Sequence, residues 1–170
     1  MLLKNKQSTK KYFRGVYPRD VLPKLGNRMP NEENFYIVNF DTADEPGSHW
    51  VGMCLRRRGR NEYFDSYGLP PNYKEFTDFL GKGYVHSKPD LQHELTSVCG
   101  QWSVFYVVRR CQGMTMVKIG KMFSPKEQLV NDMMVNNSIE TEFDLDNLEV
   151  VDVSFLKEQI SRAAKAPPTE

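Results

Sequence analysis

The apolar residues of this chain fall into short runs, and the spacing within each run assigns it to a strand or a helix. Phe35 to Phe40 and His49 to Leu55 are rich in aromatic and β-forming side chains and are bounded by turn residues, which predicts two strands. After the loop RRRGR, a third strand is predicted over Glu62 to Ser66, closed by Gly68 and the pair Pro70 and Pro71; the second and third runs then form a hairpin. Phe76, Phe79 and Leu80 change to helical spacing, so Tyr73 to Leu80 reads as a short helix stopped by Gly81. The chain returns to the sheet near Tyr84. Gly100 to Gln112 is apolar through Val108; its length favours a helix, and Arg109, Arg110 and Gly113 suit a helix C-terminus. Ser124, Pro125 and Glu127 spell a capping box that opens a helix running to about Asn136. Leu148 to Val153 reads as a strand and Ser154 to Ala164 as a terminal helix. The basic stretch from Lys4 to Asn34, punctuated by Pro18, Pro23, Gly26 and Pro30, is expected to wrap the core as loops around a YFRGVY segment. The class is α+β, a central mixed or antiparallel sheet packed against helices.

Composition adds bounds to this pattern. With 170 residues, one domain over 1–162 is expected, followed by a small, Pro-containing tail at 163–170 read as disordered. A net charge of +1 leaves no whole-molecule field to attract nucleic acid or an anionic membrane. No run approaches the roughly 20 apolar residues of a membrane span, and the start MLLKNKQSTKK lacks the core of a secretory signal. A soluble, intracellular monomer that is not secreted is the expectation. Cys54, Cys99 and Cys111 are odd in number and lack a CxxC spacing, so neither a disulfide framework nor a zinc ribbon is suggested. No metal and no organic cofactor are expected.

Four residues carry candidate chemistry. A hairpin centred on Arg57 sets His49 opposite Asp65, residue 51 opposite 63 and residue 53 opposite 61. Directly opposed Cβ atoms lie about 4.5 to 5.5 Å apart, within reach of an imidazole–carboxylate hydrogen bond, and such a carboxylate fixes the tautomer and stabilises the imidazolium. Cys99, beside Gly100 at the start of an apolar helix, sits where free N–H groups and the helix dipole favour an anion; such settings, with a neighbouring histidinium, lower a thiol pKa from about 8.5 to about 3.5–7.5. Gln92, seven residues earlier, has an amide able to donate to an oxyanion alongside the Cys99 N–H. Taken singly, each has a plainer explanation: a surface His and Asp, a small core cysteine, a solvated glutamine.

Their order, His, Asp, Gln, Cys, with Trp50 after the histidine and Gly100 after the cysteine, resembles the adenovirus-type cysteine protease family, the adenains. The matching pieces are YFRGVY at Tyr12 to Tyr17, IVNF at Ile37 to Phe40, SHW at Ser48 to Trp50, FDSYG at Phe64 to Gly68, and Gln92 followed by CG at Cys99. The similarity is broken and covers roughly Tyr12 to Gln112. It implies His49 as general base, Asp65 as orienting acid, Gln92 as oxyanion donor and Cys99 as nucleophile. It also implies the family fold, with the nucleophile at a buried helix N-terminus, and capsid or core precursor substrates with glycine before the scissile bond. The implied setting is the virion and the infected host cell. Related proteases of Polinton or Maverick elements, virophages and other adenovirus-like viruses vary in length, and the resemblance of this short chain extends to them. The chain departs from it in having Asp65 where the family often has Glu, as SUMO-specific proteases do, and in a shorter segment between Asp65 and Gln92. Neither Cys54 nor Cys111 matches the cysteine that joins adenain to its activating peptide. On this reading Asp65 is the member expected to tolerate substitution best.

Three rival readings remain: a protease removing ubiquitin-like modifiers, a non-catalytic DNA- or protein-binding module and, more remotely, an acyltransferase using the same thioester chemistry. Arg56, Arg57 and Arg58, with Arg60, are candidates for phosphate contacts, so DNA is a possible activator, although a hairpin tip is also a natural place for solvated charge. Cys54 alternates away from His49 along its strand, and His86 and His93 lack an opposed carboxylate.

Overall fold

Three aromatic and β-branched runs form strands as the sequence predicts, a short fourth forms where the chain returns to the sheet after Tyr84, and a fifth that it does not predict joins them. The computed structural model describes residues 2–23 and 32–143. In chain order the strands are β1 (Phe13–Pro18), β2 (Asn34–Asn39), β3 (Trp50–Leu55), β4 (Glu62–Phe64) and β5 (Val85–His86). The helices are α1 (Leu2–Asn5), α2 (Lys74–Leu80), α3 (Cys99–Cys111), α4 (Met116–Gly120) and α5 (Gln128–Phe143). The strands form a single sheet in the order β1-β2-β3-β4-β5. Its outer pairs are parallel and its inner pairs antiparallel. The fold is therefore α+β, with a mixed five-stranded sheet packed against helices.

Both faces of the sheet are covered, which is why every residue of β2 and β3 is buried. Phe35, Ile37, Cys54 and Phe64 point to one side and meet Trp102, Phe105 and Tyr106 of α3, with Ile119 and Val135 of α4 and α5 behind. Tyr36, Val38, Val51, Met53, Leu55 and Tyr63 point to the other and meet Phe76, Phe79 and Leu80 of α2. Gly52 sets the distance of α3 from the sheet. A Cβ there would stand 2.5 Å from the Tyr106 ring, so the missing side chain lets Tyr106 stack on Phe64 with centroids 4.8 Å apart.

The structure corrects four expectations. The YFRGVY segment builds the sheet rather than wrapping it: Phe13 and Val16 are buried, and β1 runs parallel to β2 until Pro18, a residue without a ladder donor that suits an edge. The hairpin register is shifted by two residues, with Gly52 opposite Phe64, Met53 opposite Tyr63 and Cys54 opposite Glu62. Its turn moves because the Asn61 side chain accepts the Arg56 N–H at 2.8 Å and Gly59 takes a φ of 86°. The capping box does not open α5. Ser124 Oγ instead accepts the Lys126 N–H in a local turn, the Asn131 side chain ties up both the N–H and the carbonyl of Ser124, and the helix begins at Gln128 and continues to Phe143. Finally, α4 was not predicted, although Thr115 caps it by accepting the Lys118 N–H at 3.2 Å. The predicted helix at Gly100 to Gln112 is α3, closed by Gly113. The strand at Leu148 to Val153, the helix at Ser154 to Ala164, the tail and the end of the expected 1–162 domain lie outside the described residues.

The far end of α3 is anchored by charge. Arg110 Nε donates to Glu62 Oε2 at 2.8 Å, and the Tyr106 hydroxyl donates to the same oxygen at 2.8 Å. Arg110 and Glu62 side chains are each 6% exposed. Removing one member of such a pair leaves the other charged and buried, so Arg110→Met is expected to destabilise the protein by about 3 kcal/mol, read as a fall in the urea midpoint. Arg56, at 3.5 Å from Glu62, keeps the expectation at that lower end. An unchanged midpoint would mean that this network does not anchor the helix.

Candidate active site

With its far end fixed on Glu62, α3 lays its first residue, Cys99, beside the opposite end of β4. His49 immediately precedes β3, and Asp65 immediately follows β4. Neither belongs to the ladder. The two-residue register shift keeps both on one side of the sheet, and leaving the ladder lets them turn toward the helix end. His49 Nε2 lies 3.0 Å from Asp65 Oδ1, which leaves Nδ1 for the thiol. The pairing of 49 with 65 thus arises as a contact beyond the strand ends, not as the cross-strand pair that the predicted register implied.

The histidine is tightly held. The Phe40 and Tyr67 rings pack on it, with centroids 4.7 and 5.1 Å away. Its side chain is 13% exposed, whereas that of Asp65 is fully buried. Burial alone opposes protonation of His49, but its hydrogen bonds to Asp65 and Cys99, reinforced by their charges, outweigh it and push the pKa up to about 9. Asp65 is fixed in turn: Oδ1 also accepts the Tyr67 N–H at 2.9 Å, and Ser87 Oγ bonds both its N–H and its carbonyl.

Val98 provides no side-chain cap to α3. The first-turn N–H groups and the positive end of a helix of 13 residues therefore lie at Cys99, where they can meet negative charge that develops during a reaction. The other two thiols are different. Burial pushes Cys54 well up, helped by Glu33 and Glu62, and burial pushes Cys111 up to about 12. Cys54 packs in the core between the sheet and α3, away from His49.

Gln92 is buried rather than solvated, at 1% exposure. Its Oε1 accepts from Ser66 Oγ at 2.7 Å, and its Nε2 donates to the Thr96 carbonyl at 3.0 Å and contacts the Thr96 hydroxyl at 3.3 Å. The Ser66 carbonyl also accepts the Leu91 and Gln92 N–H groups. The residue after Asp65 thereby holds the loop that leads to Cys99. The sequence assigns no role to Ser66, Ser87, Phe40 or Tyr67, although Phe40 closes the IVNF piece and Ser66 and Tyr67 lie within FDSYG; Ser87 carries no such signal.

The remaining candidates lie elsewhere. Arg56 is bound by Glu33 at 3.0 Å, while Arg57, Arg58 and Arg60 are exposed at the hairpin tip. His86 pairs in β5 against Tyr63, and His93 accepts the Leu95 N–H through Nδ1. Among the described residues no cluster of three His, Cys, Asp or Glu side chains could hold a metal, and no helix is long and apolar enough to cross a membrane. A histidine held by a buried carboxylate and influenced by a thiol is an arrangement suited to nucleophilic chemistry.

No family model matches the chain, and no curated protein matches it. Among solved structures it is similar to the crystal structure of the selenomethionine-substituted ASFV pS273R protease, at 20% identity with a TM-score of 0.45. The match covers 61% of this chain and 43% of that one, so the chain spans less than half the length of that protease.

Proposed function

We propose that the chain is a cysteine endopeptidase with Cys99 as nucleophile, His49 as base and acid, Asp65 as the orienting carboxylate and Gln92 as an oxyanion donor. The observation that carries this reading is the His49 ring, bonded to a fully buried Asp65 at 3.0 Å, with Cys99, the first residue of a helix without a side-chain cap, among the groups that raise its pKa. The Cys99 thiolate attacks a peptide carbonyl, and the carbonyl electron pair moves to oxygen. That oxyanion takes the Cys99 backbone N–H and the Gln92 N–H that otherwise rests on the Thr96 hydroxyl. The His49 imidazolium gives its proton to the leaving amine, and the C–N bond breaks. Water then attacks the thioester with His49 as base, and the thiolate is released.

The motif resemblance to adenains extends the proposal to capsid or core precursors of a virus or virus-like element as substrates, cut after glycine, inside virions and infected cells. DNA as an activator would draw on Arg57 and Arg58, since Arg56 is engaged by Glu33. The test is incubation of the purified protein with fluorogenic peptidyl-glycine amides, with precursor proteins of the same element, and with SUMO and ubiquitin fusions. Turnover of the glycyl amides and precursors, with covalent labelling of Cys99 by a thiol-directed probe, is expected. Cleavage of the modifier fusions alone would move the assignment to the rival protease. No turnover and no labelling would leave a binding module.

A further inference from the structure

The first turns of α5 are inverted. Asn131 and Asp132 are buried, at 2% and 3% exposure, while Leu129, Val130, Met133 and Met134 are exposed. Burying polar groups is unfavourable unless their hydrogen bonds are made, so the inward polar pair must be satisfied, and what satisfies it is the approach to the candidate active site. Asn131 Nδ2 donates to the Leu91 carbonyl at 3.0 Å. Asp132 Oδ2 accepts the His93 N–H at 3.1 Å and the Thr96 hydroxyl at 2.8 Å. Asp132 Oδ1 accepts Trp102 Nε1 at 2.8 Å. The neighbours of Gln92 on both sides, and the residue whose carbonyl receives its amide, are therefore tied to α5. Trp102 stands one turn after Cys99 on α3.

We propose that Asp132 is a positioning residue for the oxyanion site, a role that rests on the peptidase reading above. The two oxyanion donors lie on separate pieces of chain: Gln92 on the loop, and the Cys99 N–H on the helix. Stabilisation of a developing oxyanion requires both within hydrogen-bond distance of one point, and a misplacement of about 1 Å can cost about 100-fold. Asp132 accepts from the loop with one oxygen and from the helix with the other, so a single carboxylate sets one donor against the other. An Asn side chain cannot do this. Whichever way the amide turns, its NH₂ meets either Trp102 Nε1–H or the His93 N–H, and one side of the bridge is lost.

Asp132→Asn is expected to lower kcat on a fluorogenic peptidyl-glycine amide by about 10- to 100-fold with little change in KM. Alkylation of Cys99 by iodoacetamide, a displacement that forms no oxyanion, is expected to stay within about twofold of wild type. Trp102→Phe, which removes the helix-side Nε1–H donor to Asp132 and no hydrogen bond of Gln92, is expected to shift the same two readouts in the same sense and decides the matter if Asp132→Asn does not fold. In a Gln92→Ala background, Asp132→Asn is expected to cost little more, because the two changes act on one donor. Equal falls in hydrolysis and alkylation, full additivity with Gln92→Ala, or unchanged hydrolysis would each overturn the positioning role. A wild-type protein that alkylates at Cys99 but hydrolyses no amide would instead overturn the peptidase reading, and the role with it.

Discussion

Cys99→Ala is expected to abolish peptide hydrolysis, a fall of roughly a million-fold, while shifting stability by only about 1 kcal/mol. The effect on rate follows from the absence of a substitute. Cys54 and Cys111 are held as thiols by burial, and Cys54 is in the core on the other side of the strand alternation. The effect on stability is small because the Cys99 side chain lies at the rim of the cluster, 8% exposed. The Ser103 hydroxyl bond to its carbonyl, 3.0 Å, does not involve the thiol. Cys99→Ser should also be inactive: a hydroxyl is far less acidic than a thiol, so it supplies no anion at neutral pH to attack the carbonyl. Fluorogenic amide turnover and thermal unfolding check the pair of expectations. Wild-type turnover by Cys99→Ala would remove the proposed mechanism entirely.

Local chemistry was what the sequence made legible. The helix at α3 could be read from its length and its Arg109, Arg110 and Gly113 end, and α2 from Phe76, Phe79 and Leu80, because both depend on spacing within a few residues. Strand runs were legible for the same reason. Register was not: the turn is set by one side chain, Asn61, accepting the Arg56 N–H, a contact that strand spacing does not encode. The His49 and Asp65 neighbourhood survived that error because a shift of two keeps side chains on the same face. Residues that support the site by long-range contact left no local trace. Asp132 meets His93, Thr96 and Trp102 from positions 30 to 39 residues away, and in sequence it reads as an ordinary polar position on a helix. The inversion of α5 also explains why hydrophobic patterning could not locate its start. YFRGVY reads as part of a turn-rich stretch because Pro18, Pro23 and Pro30 follow it, yet Pro18 ends an edge strand where no N–H is needed.

Substitution of Asp65, the member of the four expected to tolerate change best, is expected to separate charge from geometry. Asp65→Ala removes the acceptor of a fully buried pair and frees the His49 ring between Phe40 and Tyr67, so kcat/KM is expected to fall by about 10³- to 10⁴-fold. Asp65→Asn is a narrower change. Oδ1, which receives both His49 Nε2 and the Tyr67 N–H, is kept as a carbonyl oxygen. The NH₂ takes the place of Oδ2, a buried atom without a hydrogen-bond partner among the described residues, so no bond is lost there. What disappears is the negative charge. Because hydrogen bonding and charge from Asp65 and Cys99 hold His49 at about 9, the imidazolium of the wild type persists through neutral pH and is lost only as the pH rises through that value. Without the Asp65 charge its pKa falls toward the ordinary histidine value of about 6.5, and the imidazolium is lost earlier. The alkaline limb of kcat/KM is therefore expected near pH 9 in the wild type and at lower pH in Asp65→Asn. The deficit of the variant should be about tenfold or less near pH 6 and should widen as the pH rises. A pH profile of amide hydrolysis for both proteins decides it: a deficit constant across pH would mean that Asp65 acts by orienting the ring alone.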